Sequence, residues 1–503
     1  MPHRPAKSCL QRFAGHAAWL VAALACCGQA DAIAQEHQQA AQSGATATPL
    51  GWAVVALFAV AYLFAALEER TGLRKSKPVM LAAALTWGLI AWSVRNDPMQ
   101  SAHVSDAFER MFLEFAELFF FLVVAMTFVA AMTERGVFDV LRAALMRRGL
   151  GYRALFWITG TLAFFLSAVL DNLTTALVVS AVVLAVGAGN ARFIAICLVN
   201  LVVAANAGGA WCAFGDITTL MVWQAHRVEF FDFFRLFLPA LANWLVPAAL
   251  MTFALPPGRP MANDHAATMQ FGGWAICALF ALTIVITVLG RQVLHMPPVF
   301  GMLGGLALLQ LLGYVIRREQ AAPKGAAAME MATEAGPNWS VPRKAQAASD
   351  DAAFSIFHII ARAEWDTLLF FYGVLMSVGG LATLGYLELA SSHLYGRLGP
   401  TAANTILGMS SAIVDNIPIM YAVLQMHPVM DHAQWLLITL TCGVGGSLLS
   451  IGSAAGVALM GVARGQYTFT SHLRWSWAIA LGFVASVLVH MGMNIHHVPV
   501  IAP

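Results

Sequence analysis

Two short runs set an aspartate beside an asparagine inside otherwise apolar sequence: Asp171-Asn172 within residues 165–176, and Asp415-Asn416 within residues 411–418. An ionisable side chain in a membrane-length apolar run costs on the order of 3 kcal/mol, so it points to function. The two runs share one pattern, Ser-x-x-x-Asp-Asn, starting at Ser167 and again at Ser411. Carboxylate, amide, hydroxyl and freed backbone carbonyl oxygens are the ligands a hard cation takes. Asp171, Asn172, Ser167 and Thr175 supply them from the first run; Asp415, Asn416 and Ser411 supply them from the second. In a continuous helix Ser167, Asp171 and Thr175 would fall four apart on one face. Two carboxylates close together in a poorly solvated site raise the affinity of at least one of them for a proton. A metal cation and a proton would then compete for the same oxygens. The simpler reading of each aspartate is an N-cap of a short helix, but caps alone do not require the repeat.

The elements that hold these residues are membrane helices. Of 503 residues, 59% are hydrophobic and only 11% charged, against about 25% charged in a soluble globular domain. A net charge of +2 without a basic stripe excludes nucleic acid as a partner. The seven cysteines, among them Cys197, Cys212, Cys277 and Cys442, follow no metal-ligand spacing and read as small buried hydrophobes. No cofactor is expected. Residues 1–34 have the layout of a bacterial signal peptide: Arg4, Lys7 and Arg12, then a short apolar run, then small-x-small sites near Ala30–Ala34.

Spans of about 20 apolar residues are expected near 50–67, 78–94, 113–132, 191–207, 236–254, 272–290, 297–315, 366–387, 434–450 and 475–491. Arg70, Arg74, Lys75 and Lys77 form one basic loop, and Arg135, Arg142, Arg147, Arg148 and Arg153 form another; the positive-inside rule puts both in the cytoplasm. As one helix, residues 154–188 would run about 52 Å against a hydrocarbon core of about 30 Å. The segment must therefore break, with Asp171-Asn172 the natural point. The second copy, 401–425 with Pro418 after the Asp-Asn pair, suits either one kinked span or two half-membrane helices. Residues 316–352 read as a polar, irregular cytoplasmic linker.

Three matched elements recur in order. Glu114 to Phe121 pairs with Glu364 to Phe371, the Asp-Asn runs pair with each other, and Gly208-Gly209 with Gly215-Asp216 pairs with Gly445-Gly446 and Gly452-Ser453. Counted from the basic loops, the two halves enter the membrane with opposite polarity, the arrangement of inverted-repeat secondary transporters. The first half is 50–315, containing repeat 1 at about 113–254; repeat 2 is 353–491.

The Ser-x-x-x-Asp-Asn pair, Asn206-Ala207-Gly208-Gly209, and the run Phe214-Gly215-Asp216-Ile217-Thr218-Thr219-Leu220-Met221-Val222-Trp223 resemble the NhaD-type Na+/H+ antiporters of the ion-transporter superfamily, over about residues 50 to 490. The resemblance implies an all-α polytopic fold with two re-entrant hairpins and two interrupted helices, scaffold and transport parts, and a homodimer. It implies exchange of Na+, with Li+ as a further cation, for H+ across the lipid bilayer of the bacterial inner membrane, with Na+ held at Asp171 and Asp415. It also draws Asp216, Thr218 and Thr219 into a supporting cavity with Asn206, Ser447 and Ser450. By itself, an aspartate after glycine is equally a surface loop residue. Glu114, Glu117, Glu364 and Asp366 sit at span ends and serve at most gating or proton access.

Two other readings compete with this one. An anion carrier of the same superfamily, for arsenite or a dicarboxylate, is opposed by the carboxylates in both motifs. An intramembrane aspartyl protease would also place two aspartates together, but those proteases carry Gly-x-Gly-Asp, whereas Ala213-Phe214-Gly215 precedes Asp216. The expectation is a transporter, not an enzyme.

Overall fold

The computed structural model describes residues 46–146, 150–187, 189–259, 268–335, 356–361, 363–463 and 465–494. The signal-peptide region lies outside them. Every regular element among the described residues is helical. The first half comprises α1 (Pro49–Ala66), α2 (Ser76–Val94), α3 (Pro98–Glu134), α4 (Val137–Met146), α5 (Tyr152–Leu166), α6 (Asn172–Val186), α7 (Ala191–Gly209), α8 (Ile217–Gln224), α9 (Phe237–Thr252, entered through a 3-10 stretch from Phe230), α10 (Gly273–Leu294) and α11 (Pro298–Ala335). The second comprises α12 (Ile356–Ala361), α13 (Trp365–Thr383), α14 (Tyr386–Ser410), α15 (Asn416–Met426), α16 (His432–Gly445), α17 (Ala454–Val462), α18 (Phe469–Leu473) and α19 (Ser476–Asn494).

Among the described residues, eight helices are long and apolar enough to cross a membrane. The chain is a multi-pass membrane protein. Two of the expected spans are shorter than that: the one near 50–67 is an 18-residue helix, and the one near 434–450 stops at Gly445. The span expected at 113–132 begins at Pro98, where Asp97 caps the helix through the amides of Met99 and Gln100; its polar first half continues the helix beyond the apolar stretch. The segment read as an irregular linker from 316 is helical as far as Ala335. Its alanine, glutamate, lysine and methionine are strong helix formers, a preference that outweighs polarity. The part of α14 before 399 was not expected, whereas 401–410 opens the expected second copy; the helix kinks at Gly399, whose φ of 75° only glycine takes without strain.

At the centre lie α7 and α16, buried almost all round, as an apolar sequence without a polar face requires. Each packs on the broken segment of its own half, α5/α6 for α7 and α14/α15 for α16. Each short helix that follows a break packs on the opposite half: α8 on α15 and α16, α17 on α6 and α7. Two glycine pairs permit this. A Cβ on Gly209 would sit 2.7 Å from the Gly215 carbonyl oxygen, and one on Gly446 would sit 2.6 Å from that of Gly452, so the chain folds back on itself only where no side chain intervenes. Outside, residues such as Leu282, Val285 and Leu289 expose apolar surface suited to lipid tails.

Candidate functional site

The breaks are where the aspartates stand. Helix α5 ends at Leu166 and α6 begins at Asn172, so Asp171 is the N-cap of α6: its Oδ1 accepts from the Thr174 amide at 2.8 Å and its Oδ2 from Thr174 Oγ1 at 2.6 Å. The shared helical face expected for Ser167, Asp171 and Thr175 is therefore absent, because Ser167–Leu170 turn between two helices. Asp415 holds the same position before α15, but its side chain makes no capping bond; its amide instead donates to Tyr62 Oη at 3.2 Å. Asp216 caps α8, with Ile217 N donating to Oδ1 at 2.8 Å, Thr218 Oγ1 donating to Oδ2 at 2.7 Å, and the Asp216 amide donating back to Thr219 Oγ1 at 3.2 Å. Three aspartates thus mark the N-termini of three short helices, where the helix dipole favours negative charge.

These three ends meet. Asp171, Asn172, Asp216, Asp415 and Asn416 line one cavity of about 60 Å3, walled by apolar side chains such as Phe121, Met126, Phe280 and Phe371. Across it, Asn416 Nδ2 donates to Asp216 Oδ2 at 2.8 Å, a direct bond between the two halves. A second link runs behind the wall: Asn172 Nδ2 donates to Asn206 Oδ1 at 3.1 Å, and Asn206 Nδ2 donates to Ser447 Oγ at 2.8 Å. Ser167 Oγ and Thr175 Oγ1 are fully buried and have no hydrogen-bond partner among the described residues. Buried hydroxyls are nearly always paired, so an unpaired one asks for an explanation.

The remaining expected residues divide. Ser411 Oγ is satisfied by the carbonyls of Gly408 and Cys442 at 2.7 and 3.1 Å, and Thr219 is spent on the α8 cap, also donating to the Asp216 carbonyl at 2.7 Å. Ser450 is buried against Met460 Sδ at 3.5 Å. Glu114 accepts from Tyr421 Oη at 3.1 Å and Gln425 Nε2 at 3.2 Å, joining α3 to α15. Glu117 is half-buried one turn along the same helix. Asp366 accepts from Ser76 Oγ, and Glu364 from Thr367 Oγ1 at 3.2 Å. None of these four lines the cavity.

Three further residues reach the site. Lys75, from the basic loop before α2, lines the cavity. Tyr62 holds the Asp415 amide. His472 bonds the Ser447 carbonyl through Nε2 at 2.8 Å and Tyr467 Oη through Nδ1 at 2.7 Å; a carbonyl only accepts, so Nε2 carries the proton and the tyrosine hydroxyl donates. None of them lies in a repeated motif, and Lys75 and Tyr62 lie outside both repeats, where only spatial proximity could have singled them out.

The family model described as citrate transporter matches residues 17–443. The Na+/H+ antiporter NhaD of Halomonas elongata is 51% identical over 459 residues, 91% of this chain and 92% of that protein. The chain belongs to the citrate-transporter family, among its NhaD-type antiporters. NhaD of Vibrio cholerae is 50% identical over 452 residues, 89% of this chain and 93% of that one. Sodium/proton antiporter 2 of Arabidopsis thaliana is 27% identical over 456 residues, 87% and 98% of the two chains. These relatives are named as antiporters, so an intramembrane protease is not favoured.

Proposed function

We infer that the protein exchanges Na+, with Li+ as a second cation, for H+ across the bacterial inner membrane, and that the cation binds among Asp171, Asp216 and Asp415. The observation that carries this reading is the convergence of three carboxylates, at the N-termini of three short helices, around one cavity of about 60 Å3. A water needs roughly 10–15 Å3 measured this way, so the space suits a partly dehydrated monovalent ion with a few waters. Ionised carboxylates would repel citrate or another polycarboxylate, which separates this chain from the literal description of its family model, and three carboxylates against the single Lys75 ammonium on the lining disfavour any anionic substrate.

In this reading Asp171 and Asp415 bind Na+ when ionised and H+ when not. Asn172 and Asn416 supply amide oxygens, and Asp216 fixes Asn416 while adding charge; Ser167 and Thr175 do not line the cavity, and their unpartnered hydroxyls are held in reserve for the ion beside the α5/α6 break. Asn206, Ser447, Thr218, Thr219, Ser411 and Ser450 hold the breaks in place, and Glu114, Glu117, Glu364 and Asp366 stand outside the cavity as gating or access groups. The repeats at about 113–254 and 353–491 are inverted copies, and the broken segments α5/α6 and α14/α15 are re-entrant hairpins. The reciprocal packing of α8 and α17 on the opposite half supports that pairing. The homodimer rests on the family resemblance.

The test is Na+-induced dequenching of a pH dye in everted vesicles from an antiporter-deficient host. Dequenching by Na+ and Li+, with none by citrate, is the expected result; a signal requiring citrate and indifferent to Na+ would refute the reading.

A further inference from the structure

Among the described residues, Lys75 is the one basic side chain on the lining of the carboxylate cavity. Its neighbours in the same loop behave as surface residues: Arg74 and Lys77 are exposed, while Lys75 is half-buried. Its Nζ lies 4.5 Å from the centre of the Phe370 ring, and among the described residues it forms no ion pair within 4.0 Å. The next residue, Ser76, is tied to Asp366 of α13, which fixes the base of the lysine against that helix. The acidic groups around it are Asp171, Asp216 and Asp415 on the cavity wall, with Glu364 and Asp366 at the start of α13.

We propose that the Lys75 ammonium is a tethered cation that competes with Na+ for Asp171 and Asp415. The inference rests on the exchange reading above and specifies what sets the cation affinity. Three carboxylates in a poorly solvated cavity must be relieved by protons or by a counter-charge, and Lys75 is placed to supply the second. When Na+ leaves, the flexible four-carbon stem lets the ammonium swing from the Phe370 face toward the carboxylates. An aromatic face is a weak anchor for a cation, so the lysine can move between the two positions. When Na+ enters, it displaces the ammonium back to the ring. A transporter must release what it binds, and the tethered competitor keeps Na+ binding reversible.

The test is calorimetric titration of the purified full-length protein with NaCl, on wild type, Lys75→Met and Lys75→Arg. Lys75→Met keeps the length and apolar stem but removes the charge, so Na+ should bind about tenfold more tightly; Lys75→Arg should return the affinity close to wild type. An unchanged or weakened affinity in Lys75→Met would overturn the proposal, since a packing role predicts no gain. A second measurement needs no variant: amine-reactive labelling of the wild-type protein, read by mass spectrometry at Lys75 against Lys77. Na+ should raise labelling at Lys75 and leave Lys77 constant, and Na+-independent labelling at Lys75 would equally overturn the proposal. Wild-type protein that binds no Na+ at all would overturn the exchange reading itself, an outcome distinct from binding that ignores Lys75.

Discussion

Asp216→Asn separates the charge of the site from its hydrogen bonding. The carboxylate accepts three bonds: Thr218 Oγ1 and Asn416 Nδ2 reach Oδ2 at 2.7 and 2.8 Å, and the Ile217 amide reaches Oδ1 at 2.8 Å. An asparagine has one oxygen, so whichever way it turns, its NH2 faces at least one donor. With the oxygen toward Thr218 and Asn416, the Ile217 bond is lost, and an unmade bond to a buried donor costs about 1–3 kcal/mol. The lost charge weighs more on the ion: at about 6 Å and an effective dielectric of about 20, one unit charge contributes about 2.8 kcal/mol, on the order of 100-fold in affinity. The variant should therefore insert and fold with modestly lower stability while its Na+ affinity falls by about two orders of magnitude. Adding Asn416→Asp restores one carboxylate and one amide across the same contact and should recover most of that affinity. Asn416→Asp alone sets two carboxylates face to face and should impair exchange. Calorimetric Na+ affinity together with half-saturation in everted vesicles reads all three variants. Wild-type half-saturation in Asp216→Asn, or a double variant no better than the single, would refute the reasoning.

Asp171→Asn and Asp415→Asn should each reduce exchange to background at wild-type expression; in the alanine series, only Asp171→Ala should lose a cap, about 1 kcal/mol, measured by thermal unfolding in detergent. Ser167→Ala and Thr175→Ala remove hydroxyls with no partner among the described residues, so thermal stability should hold or rise slightly while Na+ affinity weakens. Gly209→Ala and Gly446→Ala force a methyl onto a backbone carbonyl and should cost about 1–3 kcal/mol by overpacking, seen as a lower melting temperature and reduced membrane yield.

Much of this was legible in the residues. A repeated carboxylate-amide pair in apolar sequence has few bland explanations, and the length of 154–188 required a break where Asp171 stands. The glycine pairs marked where α7 and α16 give way to α8 and α17. The first part of α14 was hidden because its polar residues, from Glu388 to Arg397, interrupt the hydropathy that signals a span. The helical course of α11 beyond 316 was hidden for the opposite reason, a polar composition masking high helix propensity. Lys75 read as one charge in a basic loop, since positive-inside reasoning counts charges and cannot tell which one turns inward. At Asp171 a cap and a place on the cavity coincide: the carboxylate that bonds Thr174 also lines the cavity.

The central claim is that Na+ and H+ use the same carboxylates, and proton release measures it directly. Purified protein in weakly buffered solution is titrated with NaCl while pH is recorded. Where the carboxylates are protonated, each Na+ bound should release protons, and apparent Na+ affinity should rise about tenfold per pH unit per proton displaced, levelling once they are ionised. Asp415→Asn should reduce the release and flatten that slope. Na+ binding without proton release in the wild-type protein at every pH would contradict the account.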